Sequence, residues 1–132
     1  MLTIRKEQIR IFEHGKLAVF QEDAAKYLRK EYPESCEELG PAGLGELIEK
    51  GLAEARRRGI HTRGAVMIFI ELRLVFGEGF ELSPDRRWAQ KILSHPVIPD
   101  YAKMQTIRAR LIAASDGRVV RRSPPPEDSE PQ

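Results

Sequence analysis

A chain of 132 residues supplies one domain with a single modest core and is too short for two ordinary ones. With 41% hydrophobic and 32% charged residues it lies away from the composition of chains that stay unfolded, so residues 1–116 are expected to fold as a single helical domain. Lys and Arg number 22 against 20 for Asp and Glu, and this formal net charge of +2 argues against a nucleic-acid-binding surface of the strongly basic kind.

The opening "MLTIRKEQIRIFEHGK" is charged where a signal peptide would be apolar. The longest apolar run, "AVMIFI", is far short of the roughly 20 residues of a membrane helix. A single cysteine, Cys36, forms no internal disulfide and suits a reducing compartment. A cytoplasmic protein without membrane contact is the expectation.

From Thr3 to about Tyr32 no proline occurs, and Ile9, Phe12, Val19, Phe20, Tyr27 and Leu28 recur at broadly helical intervals, which predicts one long helix capped by Thr3 and weakened at Gly15. Pro33 ends it. The Gly40-Pro41 pair opens a second helix with Pro41 near its first position, and Leu44, Leu47, Ile48, Leu52 and Ala55 form its apolar stripe up to a stop at Gly59. Thr62 is expected to cap a third helix running to about Phe76. Its segment "GAVMIFIELRLVF" is interrupted only by Glu71 and Arg73, and its 13 residues favour a central buried helix over a strand.

Ser83-Pro84-Asp85 reads as the start of a fourth helix, carrying Trp88, Ile92 and Leu93 on one side and ending before Pro96. Pro99 and Asp100 start a fifth, with Tyr101, Met104, Ile107, Leu111 and Ala114 facing inward. The expected architecture is therefore all-α, a compact bundle of about five helices around a central apolar one. Residues 117–132, with three consecutive prolines and mixed charge, read as a disordered tail.

Little in the chain points to catalysis. His14, His61 and His95 sit in separate segments without companions at ligand spacing, so neither a metal nor another cofactor is expected. Cys36 stands among glutamates, which would raise its pKa and blunt it as a nucleophile. Glu78, Glu81 and Asp85 could do acid/base work only if they converged on a pocket, and His61 beside one of them would be the telling arrangement. The glycines of "FGEGF" lack the strand before and the lysine after that a phosphate loop needs. "ARRRG" and "RVVRR" could meet phosphates, but the third helix is too apolar to read base edges in a helix-turn-helix.

The aromatics of "VFGEGFELSPDRRWAQKIL" are read first as a packed helix corner, in which Phe76, Phe80 and Trp88 lock the turn. The alternative makes Phe80 and Trp88 anchors for a protein partner, with Arg56, Arg57 and Arg58 as a charged rim. An apolar third helix is compatible with a homodimer as well as with a monomer.

Four segments in order, "LTIRKEQIRIFE", "YPESCEELG", "LGELIEKGLAEARRRGI" and "FGEGFELSPDRRWAQKILSHPVIPDYAKM", extend over most of residues 2–115. In this order they resemble a group of small helical bacterial proteins associated with type VI secretion effector clusters. The resemblance implies an accessory role beside a spike, PAAR-repeat or toxin protein, as an adaptor or chaperone, or alternatively as an immunity protein. It implies no catalytic residues and does not include the tail.

Overall fold

The computed structural model describes residues 6–13 and 15–115. Five α-helices carry the fold: α1 Leu17–Glu31, α2 Pro33–Arg57, α3 Arg63–Phe76, α4 Arg87–Ser94 and α5 Asp100–Ala114. Short 3-10 turns at Lys6–Gln8, Phe80–Leu82 and Pro84–Arg86 complete them. The bundle is all-α, as expected, and the tail over residues 117–132 lies outside the described residues, as do the proposed Thr3 cap and His14.

The long first helix is not formed, because helix begins only at Leu17. Gly15 takes a left-handed φ of 70°, which breaks the helical path. Upstream of it a 3-10 turn, Lys6–Gln8, leads into a bent segment beside the entry to α3. Arg10 and Thr62 form an antiparallel bridge, the Ile11 N–H donates to the His61 carbonyl at 3.0 Å and the Arg63 N–H to the Ile9 carbonyl at 2.8 Å. The Arg63 amide is one of the donors that a helix start leaves without an internal partner, so this segment serves as a cap. Its Ile11 side chain is buried in the core.

Thr62 does stand at the N-cap of α3, but its hydroxyl makes no capping bond. It donates to Asp100 at 2.7 Å, and the same carboxylate accepts the His61 and Thr62 amides at 2.8 and 3.1 Å. Asp100 thus ties the start of α5 to the start of α3.

Pro33 both ends α1 and opens α2, about two turns of helix earlier than Gly40-Pro41 alone predicts. At Gly40 the backbone swings to φ 76°, ψ 166°, a conformation costly for any residue with a Cβ, and Pro41 restarts the helix after this kink. Ser83 likewise opens a 3-10 turn, with α4 following at Arg87 and ending at Ser94 before Pro96. In α5, Met104, Ile107 and Leu111 are buried and Tyr101 is half-buried, whereas Ala114 points outward and Ser115 takes the inner position instead.

Every residue of α3 from Gly64 to Arg73 is buried, which makes it the central helix. Asp23 of α1 pairs with Arg63, and Tyr32 at the end of α1 reaches Glu71, so α1 and α3 run in the same direction. Tyr101 lies against Gly64 and Arg108 meets Glu71, so α5 shares that direction too. The second half of α2 returns antiparallel, bringing Gly51 onto Ile70.

Two glycines permit this close approach. A Cβ on Gly64 would lie 2.7 Å from both the Tyr101 ring and Glu7, and one on Gly51 would lie 2.8 Å from Ile70. Gly64→Ala and Gly51→Ala are each expected to destabilise the fold by about 1–3 kcal/mol through overpacking. Gly45→Ala, in α2 with nothing within 4 Å of the added methyl, should instead stabilise by up to about 1 kcal/mol. Denaturant titration of the three variants checks both signs.

Candidate functional site

Of the five residues proposed as a binding surface, Phe80 is removed by burial, whereas Trp88, Arg56, Arg57 and Arg58 keep at least part of their surface exposed. Phe80 is 2% exposed and packs on Phe69 with ring centroids 5.7 Å apart, so it belongs to the core and cannot anchor a partner. Its neighbours in the turn Phe80–Leu82 fold back along α3, and this burial is the physical reason for the correction. Trp88 is half-buried on α4, with the Arg110 guanidinium 4.1 Å above its ring.

The three arginines are each engaged within the chain. Arg56 lies over the Phe12 ring at 5.2 Å, Arg57 donates to both carboxylate oxygens of Glu54, and Arg58 bridges Glu54 at 2.8 Å and the buried Glu81 at 2.6 Å. Glu81 is 1% exposed, so Arg58 is the group that allows a carboxylate to sit inside this turn.

The residues weighed for chemistry stay apart as well. Glu78 pairs with Arg73 at 3.6 Å, Glu81 with Arg58, and Asp85 with the Ser83 hydroxyl, which holds the Asp85 carboxyl below its ordinary range. His61 packs edge-on against Phe12 and its amide binds Asp100, not one of these three acids. His95 ends α4, and its Nδ1 accepts the Val97 amide at 3.2 Å. Among the described residues no group of three His, Cys, Asp or Glu side chains is placed to hold a metal ion, and no helix is long and apolar enough to cross a membrane.

One polar cluster does converge, around the central helix. Glu71, 1% exposed, accepts the Tyr32 hydroxyl at 2.5 Å and two bonds from Arg108, at 3.1 and 3.3 Å. Three helices meet at this carboxylate. A buried charge without such partners would cost several kcal/mol, about the effective penalty for one desolvated ion.

Above the Tyr32 corner lies the feature that sequence reasoning missed. Beside the Gly40 kink a groove of about 380 Å³ lies between α1 and α2, lined by Arg29, Pro33, Cys36, Glu37, Gly40, Pro41 and Leu44. A smaller hollow of about 150 Å³ shares Arg29, Pro41 and Leu44 and extends the groove toward Gln21 and Ile48. Its floor is apolar and its rim charged. Glu37 is exposed on the α2 side and Arg29 on the α1 side. The signal was present as two prolines bracketing seven residues that end in a glycine.

Cys36 faces this groove, and its thiol is pushed up by burial, with the Arg29 guanidinium offsetting part of the effect. The direction agrees with the sequence reading, but the cause is burial and not the neighbouring glutamates. A thiol that stays protonated at neutral pH is a poor nucleophile.

Arg108→Met is expected to destabilise the fold by about 3–5 kcal/mol by stranding Glu71, and Tyr32→Phe by about 1–2 kcal/mol, both read by denaturant titration. Glu54 is held below the ordinary carboxylate value, first by its hydrogen bond from Arg57 and then by Arg58. Its contribution is therefore complete above the unfolded pKa and disappears as pH falls through the lowered folded value. Thermal melts from neutral pH to about pH 3 should show a shallower acid loss for Glu54→Gln than for the parent chain.

No protein-family model, curated protein or solved structure matches this chain.

Proposed function

We propose that this protein is a non-enzymatic helical binding module, an adaptor or chaperone that receives a segment of a protein partner in the α1–α2 groove. The observation that carries this reading is the groove itself, with an apolar floor from Pro33 to Leu44 between the charged rims of Arg29 and Glu37. Binding sites of this build combine apolar contact area with a few polar groups that fix orientation. The partner class follows from the sequence resemblance: an effector or spike component of a type VI secretion system, met in the bacterial cytoplasm.

A second reading is an immunity protein that blocks a cognate toxin, with the exposed Glu37 on the groove's rim set against a basic group of the toxin.

The test starts with affinity capture by the tagged chain, followed by titration of the purified captured protein against defined variants. Arg29→Glu and Glu37→Arg alter exposed positions that line the groove, so circular dichroism should be unchanged while Kd weakens about tenfold, or about 1.4 kcal/mol. Trp88→Ala, away from the groove, should leave Kd unaltered. Unchanged affinity in both groove variants overturns the reading. Co-expression with the partner then separates the two roles, since an immunity protein restores growth and an adaptor raises the partner's soluble yield.

A further inference from the structure

The described glycines sort by what each does for the chain. Most take a left-handed φ, and at Gly43, Gly51 and Gly64 another side chain of the protein lies against the place of a Cβ. Gly45 alone among them has an ordinary φ and nothing within 4 Å. Inside a helix a glycine lowers stability relative to alanine unless it lets something come close. At Gly51 and Gly64 that neighbour is Ile70 and Tyr101, whereas at Gly45 no such neighbour belongs to the described residues.

Gly45 lines the smaller of the two hollows between α1 and α2, about 150 Å³, together with Ala25, Leu44 and Ile48. An apolar cavity of about that volume takes up a benzene-sized group, so the space beside Gly45 suits one apolar side chain. Arg29, Pro41 and Leu44 border both hollows, so the two meet there, and Arg29 is the cation at the junction. It is exposed, none of the ion pairs among the described residues uses it, and its guanidinium bears electrostatically on the Cys36 thiol of the floor. Glu37 borders only the larger hollow and Glu49 only the smaller, so a segment lying through both meets acid, base and acid in turn.

We propose that the groove takes a segment of a protein partner in which a carboxylate stands between two apolar side chains, with the carboxylate on Arg29 and one apolar side chain seated against Gly45. This rests on the reading of the groove as a binding site and adds the chemistry of what it binds. Glu37 and Glu49 disfavour acids at the two ends of the segment, because like charges set face to face cost affinity. Gly45 is the specificity-determining residue of the smaller hollow, since a larger side chain there would fill it.

A random-sequence peptide library displayed on phage and selected on the full chain tests this. The enriched peptides should carry Asp or Glu between two aliphatic or aromatic residues, with acids depleted toward their ends. Selection on the Arg29→Glu chain should change the central residue to Lys or Arg and keep its apolar neighbours. A synthetic peptide of the enriched pattern should slow alkylation of Cys36, the only cysteine in the chain, and should bind the Gly45→Leu chain about tenfold more weakly than the parent. Position 45 is exposed and leucine is the better helix former, so denaturant titration should find Gly45→Leu at least as stable as the parent, which separates lost affinity from lost folding. Enriched peptides without a central acid, an acid preference that survives Arg29→Glu, unchanged affinity for Gly45→Leu, or no enrichment at all would each overturn the proposal.

Titration of the purified captured partner distinguishes this failure from failure of the underlying reading. If the enriched peptides carry another chemistry yet protect Cys36 and compete with the partner, the ligand proposal falls and the groove reading stands. If no peptide protects Cys36 and the partner binds the Arg29→Glu and Glu37→Arg chains as tightly as the parent, both fall.

Discussion

The structure depends on one constraint: α3 is enclosed over ten successive residues, from Gly64 to Arg73, while carrying Glu71 on its buried surface. An apolar helix can be covered by any apolar faces in many registers, because dispersion and hydrophobic burial have little direction. A carboxylate cannot. It requires donors at hydrogen-bond distance, and the two that reach it come from different elements, Tyr32 at the end of α1 and Arg108 in α5. Together with Asp100 at the other end of the same helices, this sets α1, α3 and α5 in one direction and in one register. Buried ion pairs add little net stability, because desolvation offsets the attraction, yet losing one member is costly. Glu71 therefore weighs more on which arrangement forms than on how stable it is.

How much of this was legible in the sequence depended on whether the determining interaction was local. The apolar run of α3 was readable as a helix from its length, and the starts at Pro41, Ser83-Pro84 and Pro99-Asp100 from turn and cap chemistry that acts within a few residues. The stretch from Ile9 to Phe12 was not. Its apolar spacing fits a helix face, but its amides and carbonyls pair with His61 and Arg63, about fifty residues away, in place of a helical ladder. Thr62 had the right residue type for a cap, but a carboxylate from α5 claimed its hydroxyl. No local pattern encodes either outcome.

The candidate site shows the same division. Glu71 and Arg73 were visible as interruptions of an apolar helix, but their partners were not, since Tyr32 and Arg108 carry no mark of where they point. The aromatic corner was correctly read first as packing, which Phe80 fulfils. The arginine run at the end of α2 drew attention as a charged rim, whereas each guanidinium is engaged by a ring or a carboxylate within the chain. Charge counted along a sequence overstates what a surface presents when acids lie one helical turn away, as Glu54 does from Arg57 and Arg58.

The groove follows from the same local and distant terms acting at one corner. Gly40 adopts a backbone conformation that residues with a Cβ avoid, and Pro41 has no amide to continue the helical ladder, so the kink is built into the chain and does not depend on what fills the space beside it. The kink alone would leave the stretch before it free to swing. It is held because Tyr32, the residue at the turn, is locked to Glu71 in the core, and Pro33 begins the next helix immediately after it. The mouth of the groove is thus fixed from inside the bundle while its floor stays open to solvent. Preorganisation of this sort lowers the entropy lost when a segment binds. It is the physical ground for treating an apolar hollow in so small a domain as a binding site rather than as a packing defect.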